Sequence, residues 1–188
     1  MLAHAHSPEH TQPRWHSGAH RHRQMPAHLR PWLLDHGSLT AKLQALSQGH
    51  FRVEILRQSR GYPLLSEQKL LGMAPRRLAV IREVVLYGNN EPWVFARSVL
   101  PLASLTGPLR RLRHLDNQPL GALLFSQPNL VRGPIEISAM GPGQGYVPTA
   151  LQGQEPLWGR RSVFWLYQRP LMVSEVFLDA FTRRIQDQ

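Results

Sequence analysis

The stretch Arg77–Pro101, RLAVIREVVLYGNNEPWVFARSVLP, decides the fold class. Two strand-like runs, Arg77–Tyr87 and Pro92–Pro101, flank Gly88-Asn89-Asn90-Glu91, a loop of residues that tolerate positive φ, and together they predict a β-hairpin. Side chains alternate across a strand. Leu78, Val80, Arg82, Val84 and Leu86 therefore share one face of the first run, and Trp93, Phe95, Arg97 and Val99 share one face of the second. Each face is apolar except for a single arginine.

Downstream, Ser104–Leu115 and Pro119–Phe125 read as helices and Val131–Ser138 as a strand. Trp158–Gln168 and Pro170–Phe181 read as a second hairpin turning at Gln168-Arg169, with Leu171, Val173, Glu175 and Phe177 on one face. The Gly/Pro-rich stretch Gly141–Pro156 reads as a surface insertion. Upstream, His28–Leu34 carries a short helical signal, and Ser38 suits the N-cap of a helix through Leu39, Leu43 and Leu46. Phe51, Val53 and Ile55 alternate as a strand does. Ser59–Pro75, broken by Gly and Pro, reads as connecting loops with a short strand around Lys69–Leu71. Two hairpins with helices before and between them predict an α+β fold on a single antiparallel sheet.

The chain has 188 residues, enough for one domain with a substantial core. Residues 26–182 carry the globular pattern, and 183–188 read as a C-terminal tail. Residues 1–25 hold six histidines (His4, His6, His10, His16, His20, His22) among Ser, Pro and Gln, a composition that predicts a disordered tail, with Met25 as an alternative start. The pairs His4/His6 and His20/His22 are of a type that ligates transition metals, but Glu9 is the only carboxylate near them, so no metal site is expected.

There is no cysteine, which excludes disulfides, zinc thiolates, iron–sulfur clusters and cysteine nucleophiles. No run approaches the roughly 20 apolar residues that span a bilayer, and the N-terminus lacks the apolar core of a secretory signal, so a cytoplasmic protein is expected. The 22 Lys+Arg against 12 Asp+Glu give a net charge of +10, nearly all guanidinium because only Lys42 and Lys69 are lysines. Such a balance suits nucleic acid or small anionic substrates, and arginine captures carboxylates at two points. The basic run Leu109–His114 is interspersed with leucines, which fits an amphipathic helix with a solvated basic face better than a nucleic-acid contact. Ser162 and Ser174 show no triad partners, and Gly141–Gly145 lacks the lysine and helix of a phosphate loop.

Arg82, Arg97 and Glu175 remain as charges set in apolar stripes. An unpaired ion on a covered face costs several kcal/mol, so these groups pair with one another, sit at edge positions where the side chain reaches water, or meet a ligand. In the last case they would line an apolar cavity with a few convergent polar groups, the usual form of a small-molecule site.

Ordered blocks across residues 28–180 resemble the chorismate pyruvate-lyases of bacterial ubiquinone biosynthesis. They are Ile81-Arg82-Glu83-Val84, Glu91-Pro92-Trp93, Ala96-Arg97-Ser98-Val99-Leu100-Pro101, Leu105-Thr106-Gly107-Pro108, Gln118-Pro119-Leu120-Gly121, Ile135-Glu136-Ile137, Leu157-Trp158-Gly159-Arg160-Arg161-Ser162, and Pro170-Leu171 with Glu175-Val176-Phe177-Leu178. The resemblance implies a six-stranded antiparallel sheet with helices on one face and helical flaps closing over a buried site. It implies that chorismate is converted to 4-hydroxybenzoate and pyruvate without a cofactor or metal. By motif, Arg82 would bind the ring carboxylate with the backbone N–H of Leu120, Glu175 would face the ring hydroxyl, and the Ser38-Leu39-Thr40 segment, through Leu39, would supply an apolar contact. Arg97 would either meet the enolpyruvyl carboxylate or neutralise Glu175, and Glu175 would be either base or orienter. The His-rich tail, the length of Gly141–Pro156 and the Asp179–Gln188 end depart from the family pattern. A monomer without nucleic-acid or membrane partners is expected. The rival expectation is a non-catalytic sensor of aromatic acids on the same fold, and a lyase making another hydroxybenzoate isomer is a second alternative.

Overall fold

Asn89 and Asn90 adopt φ of 53° and 65°, the left-handed values that a two-residue hairpin turn requires, and they close the hairpin the sequence predicts. The computed structural model describes residues 12–21 and 23–187. In chain order come β1 (His16–Ser17), α1 (Gly18–Arg21), α2 (Arg30–Leu33), α3 (Leu39–Leu46), β2 (Phe51–Gly61) and α4 (Leu65–Leu70). The hairpin strands β3 (Ala79–Gly88) and β4 (Glu91–Pro101) follow, then a 3-10 helix (Gly107–His114), α5 (Leu120–Phe125), β5 (Val131–Arg132) and β6 (Glu136–Met140). A short 3-10 turn (Thr149–Leu151) leads to β7 (Leu157–Leu166), β8 (Arg169–Phe177) and α6 (Asp179–Gln186).

The fold is α+β on one antiparallel sheet, ordered β1-β6-β7-β8-β4-β3-β2, with β5 pairing β7. Six strands are long and two, β1 and β5, are two-residue pairings. Ser38 caps α3, its Oγ accepting from Ala41 N–H, as expected.

One face of the sheet carries Val84, Leu86 and Ala96 in a cluster with Leu33, Leu39, Leu43 and Phe181, and Val80, Leu100 and Leu171 in a second cluster with Leu109, Leu112, Leu120 and Leu124. α2, α3, α5, α6 and the longer 3-10 helix thus cover this face. The opposite face is covered as well, where the resemblance implied helices on one side only. There α4 and the 141–156 segment pack Leu71, Tyr146 and Val147 against Val85, Phe95, Val99 and Val176.

Several boundaries differ from expectation. Gly141–Pro156 is not a loose insertion, since Tyr146 and Val147 are buried. Lys69–Leu71 is no strand: Lys69 lies in α4, and Ser59–Gly61 extends β2. Gly133 and Pro134, the latter without an N–H to donate, interrupt the expected Val131–Ser138 strand. The last strand stops at Phe177, and α6 absorbs most of the expected C-terminal tail, its Phe181 fully buried between Trp32, Trp93 and Phe177. At the other end His16 and Ser17 pair with Ile137 and Glu136, Trp15 packs edge-on to Tyr146, and Met25 is buried, so the fold begins well before residue 26. His4, His6, His10 and His22 lie outside the described residues, as does the His20 side chain.

Candidate functional site

Between the two clusters of the helix-covered face the sheet bears a small, mostly apolar cavity with a few polar groups. Arg82, Val84, Ala96, Ser98, Val173 and Glu175 form its floor, and Thr40 of α3 with Pro119, Leu120 and Gly121 at the start of α5 form its cover. Strand register explains the floor: Arg82 is opposite Ser98 on β3–β4, and Ser98 and Ala96 are opposite Val173 and Glu175 on β4–β8. Directly paired residues point to the same side, so these four pairing partners share the cavity with Arg82.

Arg82 is almost fully buried. Its Nη1 donates to Gln58 Oε1 and its Nη2 to the Gln118 carbonyl at 3.0 Å. Burial pushes its pKa down, with Asp116 opposing from a distance, and no carboxylate pairs with it among the described residues. Glu175 stands at the other end of the cavity. Arg160, its direct partner on β7, donates Nε to Glu175 Oε2 at 2.7 Å. Arg160 Nη1 also reaches the carbonyls of Trp32 at 2.6 Å and Asp35 at 2.7 Å, in the segment joining α2 to α3. Arg132 lies alongside, with Nε on Ser162 Oγ at 3.1 Å and Nη1 on the same Asp35 carbonyl at 3.1 Å.

The structure thus brings together Arg82, Leu120 and Glu175 of the residues expected from sequence. Leu120 is the first residue of α5, so its N–H has no acceptor within the helix. Leu39 is not in the cavity wall: it turns into the apolar cluster with Leu33 and Leu43, and its neighbour Thr40 takes the wall position.

Arg97 is a correction. It points to the opposite face of the sheet, where Nε and Nη2 bind both oxygens of Glu67 at 2.8 and 3.0 Å and Nη1 binds Glu83. The cause is a bulge in β4. Tyr87 pairs with Pro92 but Leu86 with Val94, so Trp93 is an extra residue that shifts the register by one. Without it Arg97 would stand opposite Arg82. With it, the two arginines face opposite sides. Arg97 therefore neither neutralises Glu175 nor reaches the cavity.

Sequence reasoning passed over Arg160, Arg132 and Gln58 as site residues, and within the Ser38–Thr40 segment it points to Leu39 rather than Thr40. Arg160 was recoverable from the second hairpin. Its turn is Tyr167-Gln168, φ 52° and 62°, one residue earlier than Gln168-Arg169, and the earlier turn moves Glu175's partner from Ser162 to Arg160.

A two-sided α+β sheet with a covered cavity, a guanidinium lacking a carboxylate at one end and an ion-paired carboxylate at the other has the form of a small-molecule site. The model of the chorismate lyase family matches residues 14–188, and the chain belongs to that family. It is 44% identical over 149 residues to a protein of Marinobacter nauticus named a probable chorismate pyruvate-lyase, covering 79% of this chain and 75% of that one. A probable chorismate pyruvate-lyase of Azoarcus sp. is 43% identical over 160 residues, covering 81% of this chain and 84% of that one. Among solved structures, the effector domain of PhnF from Mycobacterium smegmatis shares the fold, with a TM-score of 0.55 and 18% identity over 78% of this chain and 91% of that one.

Among the described residues no helix is long and apolar enough to cross a membrane, and no group of three or more His, Cys, Asp or Glu side chains is placed to hold a metal ion.

Proposed function

We propose that this chain is a chorismate pyruvate-lyase, releasing pyruvate from chorismate and leaving 4-hydroxybenzoate, as the first committed step of ubiquinone biosynthesis in the cytoplasm. The observation that carries the reading is the pair of anchors, Arg82 without a carboxylate and Glu175 held by Arg160, at opposite ends of one cavity. Neighbouring strands lie about 4.8 Å apart and residues about 3.4 Å along them, which puts the two backbones roughly 12 Å apart, a span that two inward side chains and a para-substituted ring can fill.

Arg82 holds the ring carboxylate by charge-assisted hydrogen bonds, joined by the N–H of Leu120. Glu175 offers its second oxygen to the C4 hydroxyl, while Arg160 fixes the orientation of the carboxylate. Val84, Leu86 and Val173 pack the ring faces, and Thr40 closes the cover in place of the expected Leu39. The C3–O bond to the enolpyruvyl group breaks and the C4 hydrogen leaves as a proton. The proton ends on the departing enolpyruvate, which becomes pyruvate, and the ring becomes aromatic. Because aromatisation drives the step, the protein has to position and polarise, and the reading calls for no cofactor.

Incubation with chorismate in the presence of a chelator tests the reading, following pyruvate and identifying the aromatic product by chromatography. Equal amounts of pyruvate and 4-hydroxybenzoate are expected. Tight binding of 4-hydroxybenzoate without turnover would make the protein an aromatic-acid binder instead, and another hydroxybenzoate isomer would reassign the product.

A further inference from the structure

The substrate in this reading is a dianion, and Arg82 accounts for one carboxylate only. The second, on the enolpyruvyl group, hangs from C3, next to the C4 hydroxyl. It therefore belongs at the Glu175 end of the cavity, away from Arg82. Arg97 is on the wrong face and already carries Glu67 and Glu83. Arg160 is committed to Glu175 and two carbonyls.

Arg132 is differently placed. Its register opposite Phe164 on β7 sets it on the same side of the sheet as Ser162, Arg160 and Glu175, and its guanidinium lies over the Phe164 ring. It shares the Asp35 carbonyl with Arg160, so the two guanidiniums are neighbours at the Glu175 end. Its bonds go to a hydroxyl and a carbonyl, and no carboxylate pairs with it among the described residues. Burial and the nearby Arg160 charge push its pKa down to about 10, against the pull of Glu175 and Asp35. It stays protonated at neutral pH while its charge is under-compensated, and a second carboxylate arriving beside it would offset that cost.

We propose that Arg132 receives the enolpyruvyl carboxylate of the substrate; this rests on the chorismate reading above. Arg82 at one end of the cavity and Arg132 beside the Glu175 end, neither paired with a carboxylate among the described residues, then match the two carboxylates of the substrate. The consequence is selectivity within the reaction. Pyruvate takes the second carboxylate away, so 4-hydroxybenzoate keeps its contact with Arg82 and has none with Arg132. Arg132 thereby favours substrate over product in competition for one cavity.

The test compares the wild-type protein with Arg132→Gln and Arg132→Lys. Initial rates of pyruvate release give KM for chorismate, tryptophan fluorescence titration gives Kd for 4-hydroxybenzoate, and thermal melts confirm folding. For Arg132→Gln, KM should rise roughly 10–100-fold, as expected for loss of a charge-assisted hydrogen bond, while the product Kd stays within about twofold. Arg132→Lys should recover part of the KM. An unchanged KM, or a product Kd that weakens in step with KM, overturns the assignment of Arg132 and leaves the lyase reading standing. A wild-type protein that releases no pyruvate overturns both.

Discussion

Arg160 and Glu175 stand directly opposite each other on β7 and β8, with Nε 2.7 Å from Oε2, and the same guanidinium holds the carbonyls of Trp32 and Asp35. One side chain, 1% exposed, thus joins the carboxylate at the end of the cavity to the segment that leads into its cover. Asp35 is further tied to Lys42 of α3 at 3.2 Å, so the tether continues into the helix that supplies Thr40.

Replacing Arg160 should therefore cost both stability and activity. Arg160→Leu leaves Glu175 unpaired in a largely buried setting and frees two carbonyls, and removal of one partner of a buried pair typically costs about 3–5 kcal/mol. Glu175 keeps some contact with solvent, which places the expected loss near the lower figure. Denaturant titration measures it. Arg160→Lys retains charge but cannot bridge the carboxylate and two carbonyls together, so it should fold better than Arg160→Leu while kcat stays low. Recovery of full kcat in the Lys variant would show that only charge matters at this position.

Arg97 should behave as a structural residue. Burial works against its charge, but the bonds and charge of Glu67, with Tyr146 and Glu83, outweigh it and raise its pKa. A cation whose folded pKa is raised contributes stability that is lost only as pH climbs through that value. This one lies above any accessible pH, so scans across neutrality will not expose it and mutation is the test. Arg97→Ala strands Glu67, which is fully buried, at a cost of about 3–5 kcal/mol. Where the variant remains folded, its Kd for 4-hydroxybenzoate should stay within about twofold, because the cluster and the cavity lie on opposite faces and share no partner. A large rise in that Kd at unchanged secondary structure would contradict the placement of Arg97.

The contrast between Arg82 and Arg97 shows how far the sequence reaches. Alternation alone identified both as charges in apolar stripes, and the Asn89-Asn90 turn located the hairpin. Which face each arginine occupies depended on one bulged residue, Trp93, that no pattern announces. The Tyr167-Gln168 turn was misplaced by one because neither residue is a usual turn former, and its displacement hid the pairing of Arg160 with Glu175. Local signals were legible: the Ser38 cap, both hairpins and the helix at Leu120. Long-range effects were not. Burial of Tyr146 within a Gly/Pro-rich stretch, and pairing of His16 and Ser17 in a His-rich one, arise from docking onto the sheet and leave no periodic trace.

The bulged Trp93 packs its ring over a glycine. A Cβ on Gly88 would run into the Trp93 ring, and Trp93 is fully buried. Gly88→Ala must displace an indole packed against Phe181, so the overpacking should cost at least the usual ~1–3 kcal/mol. Urea unfolding should show a lower midpoint with the same slope. A midpoint equal to wild type would mean that the ring can move freely, contrary to its packing.

Gly121 offers the most direct handle on how the cavity is closed. It lies where α5 meets α3, and a Cβ there would come 2.9 Å from Thr40 Oγ1, closer than real Cβ atoms approach a neighbour. Both residues belong to the cover, and Thr40 is buried, so neither side can yield toward solvent without lifting a helix. Gly121→Ala should therefore part α3 from α5 slightly while leaving Arg82 and Glu175 in place. In the proposed reading 4-hydroxybenzoate keeps the Arg82 and Glu175 anchors, so its escape should depend on the cover, and loosening the cover should raise its dissociation rate. Stopped-flow displacement of the product measures this, with an increase of several-fold expected and a small loss of melting temperature. Thr40→Ala removes the hydroxyl that the new methyl would strike, so the double variant Thr40→Ala/Gly121→Ala should return toward the dissociation rate of Thr40→Ala alone. If the two substitutions add without such compensation, the contact between Gly121 and Thr40 is not what keeps the cover closed.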